Sequence, residues 1–474
     1  VRKGEIEGRL DPNFVHLSKV LKEKFKHSNY SFVNLGKCID YIQYGISSLA
    51  NTEQKGVPII RMGNLKGDEW DFSSLKHIEL SDKDIETYRV LDGDLLFNRT
   101  NSKELVGKCG VFREKGDWVF ASYLIRVRVD ENLLLPDFAS FFLGSSVGRM
   151  QIDCLSRQII GMTNINAEEI KLIKIPIPPL EVQKQIIEKF ESAYNAKRAK
   201  EAEAKSLLDG IDAYLLGRLG IETPAATETK KTFFTRASKL SGGRFDPKKY
   251  VPENEQLINS LSKGHFRTMA LRNLITQSVS GDWGIEFEAR DYVERLVIRA
   301  TEFDNRQNLR LDNSRVKYRF INKSKLKRMD LQAGDLLIEK SGGSEDQPVG
   351  RIAIITDDLV NNYSLAFSNF IHKIRVDSRL VRSNYLFEYL RTVHNIKITD
   401  LMQSQTNGIR NLIMREYLSL VIPLPSLEIQ EEIASHIQSI RTRAKELECE
   451  ARAEVERAKA EVERMILGDV SADA

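Results

Sequence analysis

The sequence predicts an α+β chain: two mixed α/β globular domains joined by two long, antiparallel coiled-coil helices with internal pseudo-two-fold symmetry. Three observations predict it. The chain has 474 residues, too many for one ordinary domain, and 41% of them are hydrophobic, enough for separate cores. Short motifs recur in unbroken order at an offset that drifts from 235 to 247 residues. Each copy ends in a long stretch whose apolar residues step by threes and fours.

The repeat is read motif by motif. Gly8-Arg9-Leu10-Asp11-Pro12 returns as Gly243-Arg244-Phe245-Asp246-Pro247, and Ile60-Arg61 returns as Ile298-Arg299. Gly93-Asp94-Leu95-Leu96 matches Gly334-Asp335-Leu336-Leu337, and Val106-Gly107-Lys108 matches Val349-Gly350-Arg351. Arg128-Val129-Asp130 matches Arg375-Val376-Asp377. Ile175-Pro176-Ile177-Pro178 followed by Leu180-Glu181 and Gln183 matches Ile422-Pro423-Leu424-Pro425 followed by Leu427-Glu428 and Gln430.

The elements follow in order. Residues 1–178 form the first globular domain, with strand-like runs at 94–97 and 124–129 and an amphipathic, helical stretch at 136–143. The Pro-x-Pro segment cannot lie inside a helix, so it sets the start of the first long helix, 179–219. Its apolar positions include Ile186, Ile187, Phe190, Tyr194 and Leu208. Residues 220–232 are polar, carry Pro224 and read as a linker. Residues 233–425 form the second globular domain, with strands at 335–338 and 371–376 and a helix at 385–390. The second long helix, 426–468, has the seam Ile433, Ile437, Ile440, Ala444 and Leu447, continued to Met465. It predicts about 40 residues of helix, roughly 60 Å at 1.5 Å per residue. Residues 469–474 are a short tail. Such helices need partners in water, and positions off the main stripe (Ile187, Tyr194, Leu208, Ile466) are where a partner helix could dock.

The net charge of +4 divides unevenly. Residues 180–219 hold seven basic and seven acidic side chains and 427–467 hold seven and ten, which leaves +7 for the remainder. That sign suits a surface that meets phosphates. Four scattered cysteines without a CxxC pair argue against a disulfide scaffold or a zinc ribbon. No stretch approaches the ~20 apolar residues of a membrane span, and the first residues show no signal-peptide core. A cytoplasmic location and no membrane partner are expected.

A search for chemistry ends without a catalytic residue or a metal site. Asp11-Pro12-Asn13-Phe14 lacks the second proline of an amino-methyltransferase tetrapeptide, and no Phe-x-Gly-x-Gly loop exists. Asp335, Glu339 and Lys340 have the wrong spacing for a metal nuclease, and the other copy places Asn98 and Arg99 there. The histidines form no ligand spacing, and a GxxxxGK[ST] phosphate loop is missing.

Two diverged globular domains, each followed by a long helix opened by Ile175–Ile187 (IPIPPLEVQKQII) or Ile422–Ile433 (IPLPSLEIQEEI), closely resemble the specificity subunit of type I restriction–modification enzymes, over essentially the whole chain. The resemblance implies two target-recognition domains, each reading one half of a split double-stranded DNA sequence. It implies that the long helices form the spacer and the docking site for two methyltransferase (M) subunits, and that motor–nuclease (R) subunits can join. It places S-adenosylmethionine, used to methylate adenine, in the methyltransferase partners and no cofactor in this chain. The competing reading is a coiled-coil scaffold with no sequence-specific DNA role; it leaves the polar residues at matched loops unexplained.

Three sets of loop residues are candidates for DNA contact, because Arg and Lys reach phosphates, Arg pairs with guanine, and Asn or Gln with adenine. The first set is Asn98, Arg99, Thr100, Asn101 and Lys103, matched by Lys340, Ser341, Ser344, Gln347 and Arg351. The second is Gln158 and Thr163, matched by Gln405, Asn407 and Arg410; here Gly161 and Gly408 could equally make turns, and Asn164 and Asn411 could cap helices. The third is 44–48 and 278–283 with Arg61 and Arg299, where Arg61 could equally lay its stem on the domain. A solvated surface loop is the alternative for the first set.

Overall fold

A computed structural model describes residues 12–26, 28–66, 69–159, 161–224, 232–236, 247–304, 306–343, 347–406 and 409–467. It divides into two compact units, Val1–Ala202 with Leu447–Ala474, and Glu203–Glu446. Each unit therefore groups one globular domain with the adjoining parts of both long helices.

In the first unit the central sheet is antiparallel, in the order Ile39–Tyr44, Leu124–Val129, Leu95–Asn98, Cys109–Val111. Leu95–Asn98 is buried at every position because both its faces are covered. Leu95 and Phe97 face a core with Phe138, Phe142 and Ile152 of the helices Pro136–Gly144 and Ser146–Leu155; Leu96 faces Ile60, Phe112 and Phe120. The second face belongs to a sheet in which Val57–Ile60 lies between Lys76–Ile78 (antiparallel) and Val119–Phe120 (parallel). A small sheet joins Arg157–Ile159, Met162–Asn164 and Thr100–Asn101, and Phe32–Asn34 pairs with Lys174–Pro176.

The second unit repeats each of these sheets. Its central order is Ile275–Ser280, Ile371–Val376, Leu336–Glu339, Ile352–Ile354. Tyr292–Ile298 lies between Lys317–Asn322 (antiparallel) and Leu365–Phe367 (parallel). Ser341–Gly343, Ile409–Leu412 and Gln403–Thr406 form the small sheet, and Thr268–Ala270 pairs with Val421–Pro423. Leu336 and Ile338 again face the helical core while Leu337 faces the other. Helix Ser383–Asn395 is tied to the Pro-x-Pro strand by two buried phenols, since Tyr385 Oη donates to the Pro423 carbonyl and Tyr389 Oη to that of Val421, both at 2.9 Å.

The repeated motifs prove to be one scaffold stated twice. Gly93 and Gly334 take φ of +86° and +84°, which an L side chain resists, and turn the chain into the following strand. The next residue, Asp94 or Asp335, is fully buried. Asp94 accepts from the Leu91 amide at 2.8 Å and pairs with Arg128; Asp335 accepts from the Gln332 amide at 2.8 Å and pairs with Arg375 and Lys373. The Gly-Asp-Leu-Leu and Arg-Val-Asp motifs are thus the two sides of one ion pair, in which the aspartate is buried and the arginine reaches the surface. Those cations leave Asp335 no free oxygen face for a metal, and among the described residues no cluster of metal-ligating side chains occurs.

Gln183 and Gln430 are completely buried at the start of the long helices. Gln183 accepts from the Leu135 amide and donates to the Leu133 and Pro178 carbonyls, at 2.8–2.9 Å. Gln430 accepts from the Arg382 amide at 2.8 Å and donates to the Leu380 and Pro425 carbonyls at 3.2 and 3.0 Å. Each glutamine staples its helix to a loop of its own globular domain.

The second long helix, Leu427–Leu467, runs unbroken for 41 residues. The first is interrupted at Gly210, between Leu180–Asp209 and Ile211–Leu219. Within the first unit they run antiparallel, as the ion pairs Lys189–Glu461 (2.5 Å) and Lys200–Glu450 require. Within the second unit Arg218 pairs with Glu432 at 2.7 Å. Ile186, Phe190, Ile433, Ile437 and Leu447 are buried and Ile440 is half-buried. The expectation that Ile187, Tyr194, Leu208 and Ile466 are open to a partner helix is corrected for Tyr194 and Ile466, which are buried; Ile187 and Leu208 are half-buried. All four pack on the cores of their own units, because these helices bury one stripe against each other and another against a globular domain. Among the described residues no helix is long and apolar enough to cross a membrane.

Candidate nucleic-acid interface

The loop after each buried central strand is the place where the candidate sets meet. In the first unit the Arg99 amide donates to the Tyr123 carbonyl at 3.0 Å, and the Arg99 guanidinium lies 4.9 Å from the Tyr44 ring centroid. In the second unit the Lys340 amide donates to the Phe370 carbonyl at 2.9 Å, and Lys340 Nζ donates to Ser280 Oγ at 3.1 Å. Gly45 and Gly281 allow this approach, since a Cβ there would sit 2.3 Å from the Ala121 carbonyl oxygen and 2.2 Å from that of Phe367. The next residues, Thr100 and Ser341, donate their hydroxyls to Asn164 and Asn411 in the small sheet. The strand pairings Thr163 with Asn101, and Gly343 with Arg410, complete the match. Thr100 and Asn101 of the first set thus share a small sheet with Gln158 and Thr163 of the second, as Ser341 does with Gln405 and Arg410 in the other unit, and the start of the third set lies beside it.

The constellation presents a cation and an aromatic ring at matched positions. Tyr123 is 48% exposed and Phe370 is 45% exposed, each at a tight turn leading into a central strand. Burial lowers the pKa of Lys340 below the ordinary lysine value. His372, whose ring nitrogens lie 2.8 Å from Ser278 Oγ and 3.2 Å from Ser280 Oγ, is pushed down to about 4 by burial and by Lys340. It stands neutral beside the cation. The Arg99 guanidinium beside the exposed Tyr44 ring, and the Lys340 ammonium beside Ser280, are each able to neutralise a phosphate.

The candidate residues fare differently. Arg99, Asn101, Lys103, Lys340, Gln347 and Arg410 are exposed or half-exposed. Asn101 Nδ2 lies 3.6 Å from Met62 Sδ, which brings the neighbourhood of Arg61 to the same face. Arg61 itself donates to the Ser74 carbonyl at 3.3 Å.

Other assignments are corrected. Arg351 is 7% exposed and gives its guanidinium to Glu339 and to the Ala300 and Phe303 carbonyls, so it reads no base. Asn98, 2% exposed, donates to the Leu105 carbonyl from inside a strand covered on both faces. Thr100, Thr163 and Ser341 are buried in the small sheet. Arg299 is held by Glu302 (2.6 Å) and by the Arg315 carbonyl (2.6 Å), which fixes a loop instead of presenting a free charge. Asn164 and Asn411 bind hydroxyls and do not cap helices; Asn166 caps Ala167–Leu172, accepting from the Glu169 amide at 2.9 Å. Gln158 and Gln405 lie in the strands Arg157–Ile159 and Gln403–Thr406. Ser344, Asn407, Gly408 and the tail 469–474 lie outside the described residues.

Tyr123 and Phe370 were not anticipated from the sequence. A signal for them existed: at the offset of 247 they align with each other, just ahead of the matched strands Leu124–Val129 and Ile371–Val376.

Comparison with known proteins gives a consistent result. The family of the type I restriction modification DNA specificity domain matches twice, at residues 29–207 and 277–457. A protein of Methanocaldococcus jannaschii assigned as the MjaX type I restriction enzyme specificity subunit is 23% identical over 470 residues, covering 94% of this chain and 98% of its own. The EcoKI specificity subunit of Escherichia coli K12 is 27% identical over 190 residues, 40% of this chain and 41% of its own. A chain from a solved type I restriction–modification system has a similar fold, with a TM-score of 0.50 at 15% identity over 93% of this chain and 98% of that one.

Proposed function

The chain belongs to the type I restriction–modification DNA specificity family, whose domain it carries twice, and from that premise we propose that each globular unit reads one half of a bipartite DNA target while the long helices set the spacing and dock two methyltransferase subunits. The observation that carries this reading is the repetition, in both units, of a basic residue whose main-chain amide is bonded to the carbonyl of an exposed aromatic residue: Arg99 to Tyr123, and Lys340 to Phe370. The scaffold beneath is kept between the units, whereas the tip residues differ. That is the arrangement expected of two readers with different half-sites.

This chain supplies recognition, and methyl transfer to adenine belongs to the partner subunits. Those subunits would bring S-adenosylmethionine. Motor–nuclease subunits are the further partners that the assignment admits.

The test is a domain exchange. Replacing residues up to about Pro176 with the equivalent domain of a relative, then sequencing the methylome of cells carrying the complex, should change one half of the methylated motif. If both halves change, the units are not independent readers.

A further inference from the structure

Beside its tip, the second unit holds a cavity of about 870 Å³. Trp283, Tyr292, Arg299, Ser368, Asn369 and Phe370 are among the residues that line it. The Arg319 guanidinium lies 4.7 Å from the Trp283 ring centroid, so that aromatic wall is electrostatically backed. The charges around it are already paired: Arg299 with Glu302 and Lys325 with Asp282. Ser368 is 1% exposed and its Oγ has no hydrogen-bond partner, which is rare for a buried hydroxyl. Aromatic walls, neutralised charge and one orphaned hydroxyl suit a flat, uncharged ring that forms hydrogen bonds. They suit neither a phosphate nor an aliphatic ligand.

We propose that this cavity receives one unstacked nucleobase of the bound DNA at the second half-site, with Trp283 and Phe370 on its faces and the Ser368 hydroxyl bonded to its edge. The proposal rests on the reading of this unit as a DNA reader. DNA is the favoured source because Phe370 belongs both to the cavity lining and to the tip beside Lys340.

A base must leave its pair to enter, so weakening that pair makes entry easier. The test uses the full chain in its target-binding complex and duplexes carrying single mismatches along each half-site. At one position of the second half-site a mismatch is expected to tighten binding, by about tenfold, while mismatches elsewhere weaken it. Trp283→Ala and Ser368→Ala should each abolish that gain and leave the first half-site's penalties unchanged; Ser368→Ala keeps the test valid if the tryptophan variant fails to fold. Mismatches that all weaken binding, or a gain that survives in Ser368→Ala, overturn the proposal while leaving DNA reading intact. Failure to prefer the target over random DNA overturns the reading and the proposal together. Titration with free adenosine and thymidine should be flat; saturable binding that Ser368→Ala abolishes would assign the cavity to a free nucleoside and overturn the DNA source.

Discussion

Arg351 donates four hydrogen bonds inside the protein, two of them to the buried Glu339 carboxylate. Arg351→Ala strands that carboxylate, so unfolding free energy should drop by about 3–5 kcal/mol in denaturant titration. The Glu339→Met/Arg351→Met pair, which removes both charges, should recover most of it. Arg99 and Lys340 should behave in the opposite way. Arg99→Ala or Lys340→Ala should cost less than about 1 kcal/mol of stability and lower the slope of log affinity against log salt by about 1. An unchanged slope in both would remove them from the phosphate contacts. Both polar loops were legible in the sequence as candidates, but the inward turn of Asn98 and Glu339 was not. Burial there depends on a second sheet that covers a four-residue strand from its other face, too short a run for its periodicity to reveal. Tyr123 and Phe370 escaped notice for the converse reason, since large apolar side chains are read as core until the turn that exposes them is known.

At the scale of elements, the long helices were the most legible feature, with starts expected at 179 and 426 and found at Leu180 and Leu427. Periodicity carries that far because forty residues sample the stripe many times. It missed the break at Gly210, since apolar residues continue on both sides of it from Leu207 to Leu215. It also assigned two buried side chains, Tyr194 and Ile466, to a partner, because a stripe does not say which neighbour covers it. If the helices set the spacing, a seven-residue insertion in both, after about Lys205 and after about Glu448, adds roughly 10 Å of rod and keeps the seam near register. The methylated motif should then gain up to about three base pairs of unread spacer, taking about 3.4 Å of rise per pair. An active complex that keeps the original spacer, seen in its methylome, would rule out the helices as the measure.

For the whole molecule, acid sensitivity follows from two imidazoles in the second unit, the half-buried His372 and the buried His394. His372 is held at about 4 by burial and by Lys340, and His394 at about 4 by burial and by Lys397 and Arg351. The unfolded chain takes up these protons near pH 6.5, the folded one only near 4, so stability falls as pH drops through that window. The loss should be about 1–2 kcal/mol per imidazole between pH 7 and pH 5. Ion-paired carboxylates such as Asp377, held at about 2 by Arg379, add their loss only in stronger acid. Denaturant midpoints equal at pH 7 and pH 5 would contradict this. The duplication itself was legible, because two of its motifs are the Asp–Arg pair and the glutamine staple, which recur with the same bonds in both units. The staple has a wider consequence. Gln183 and Gln430 grip their globular domains only through main-chain carbonyls and amides. The staple itself is blind to side chains, so a domain whose loop follows the same path, and whose surface fits the helix stripe, can be joined to the same helices. New targets can then arise by wholesale trade of one module between lineages, while the helices that receive it need no redesign.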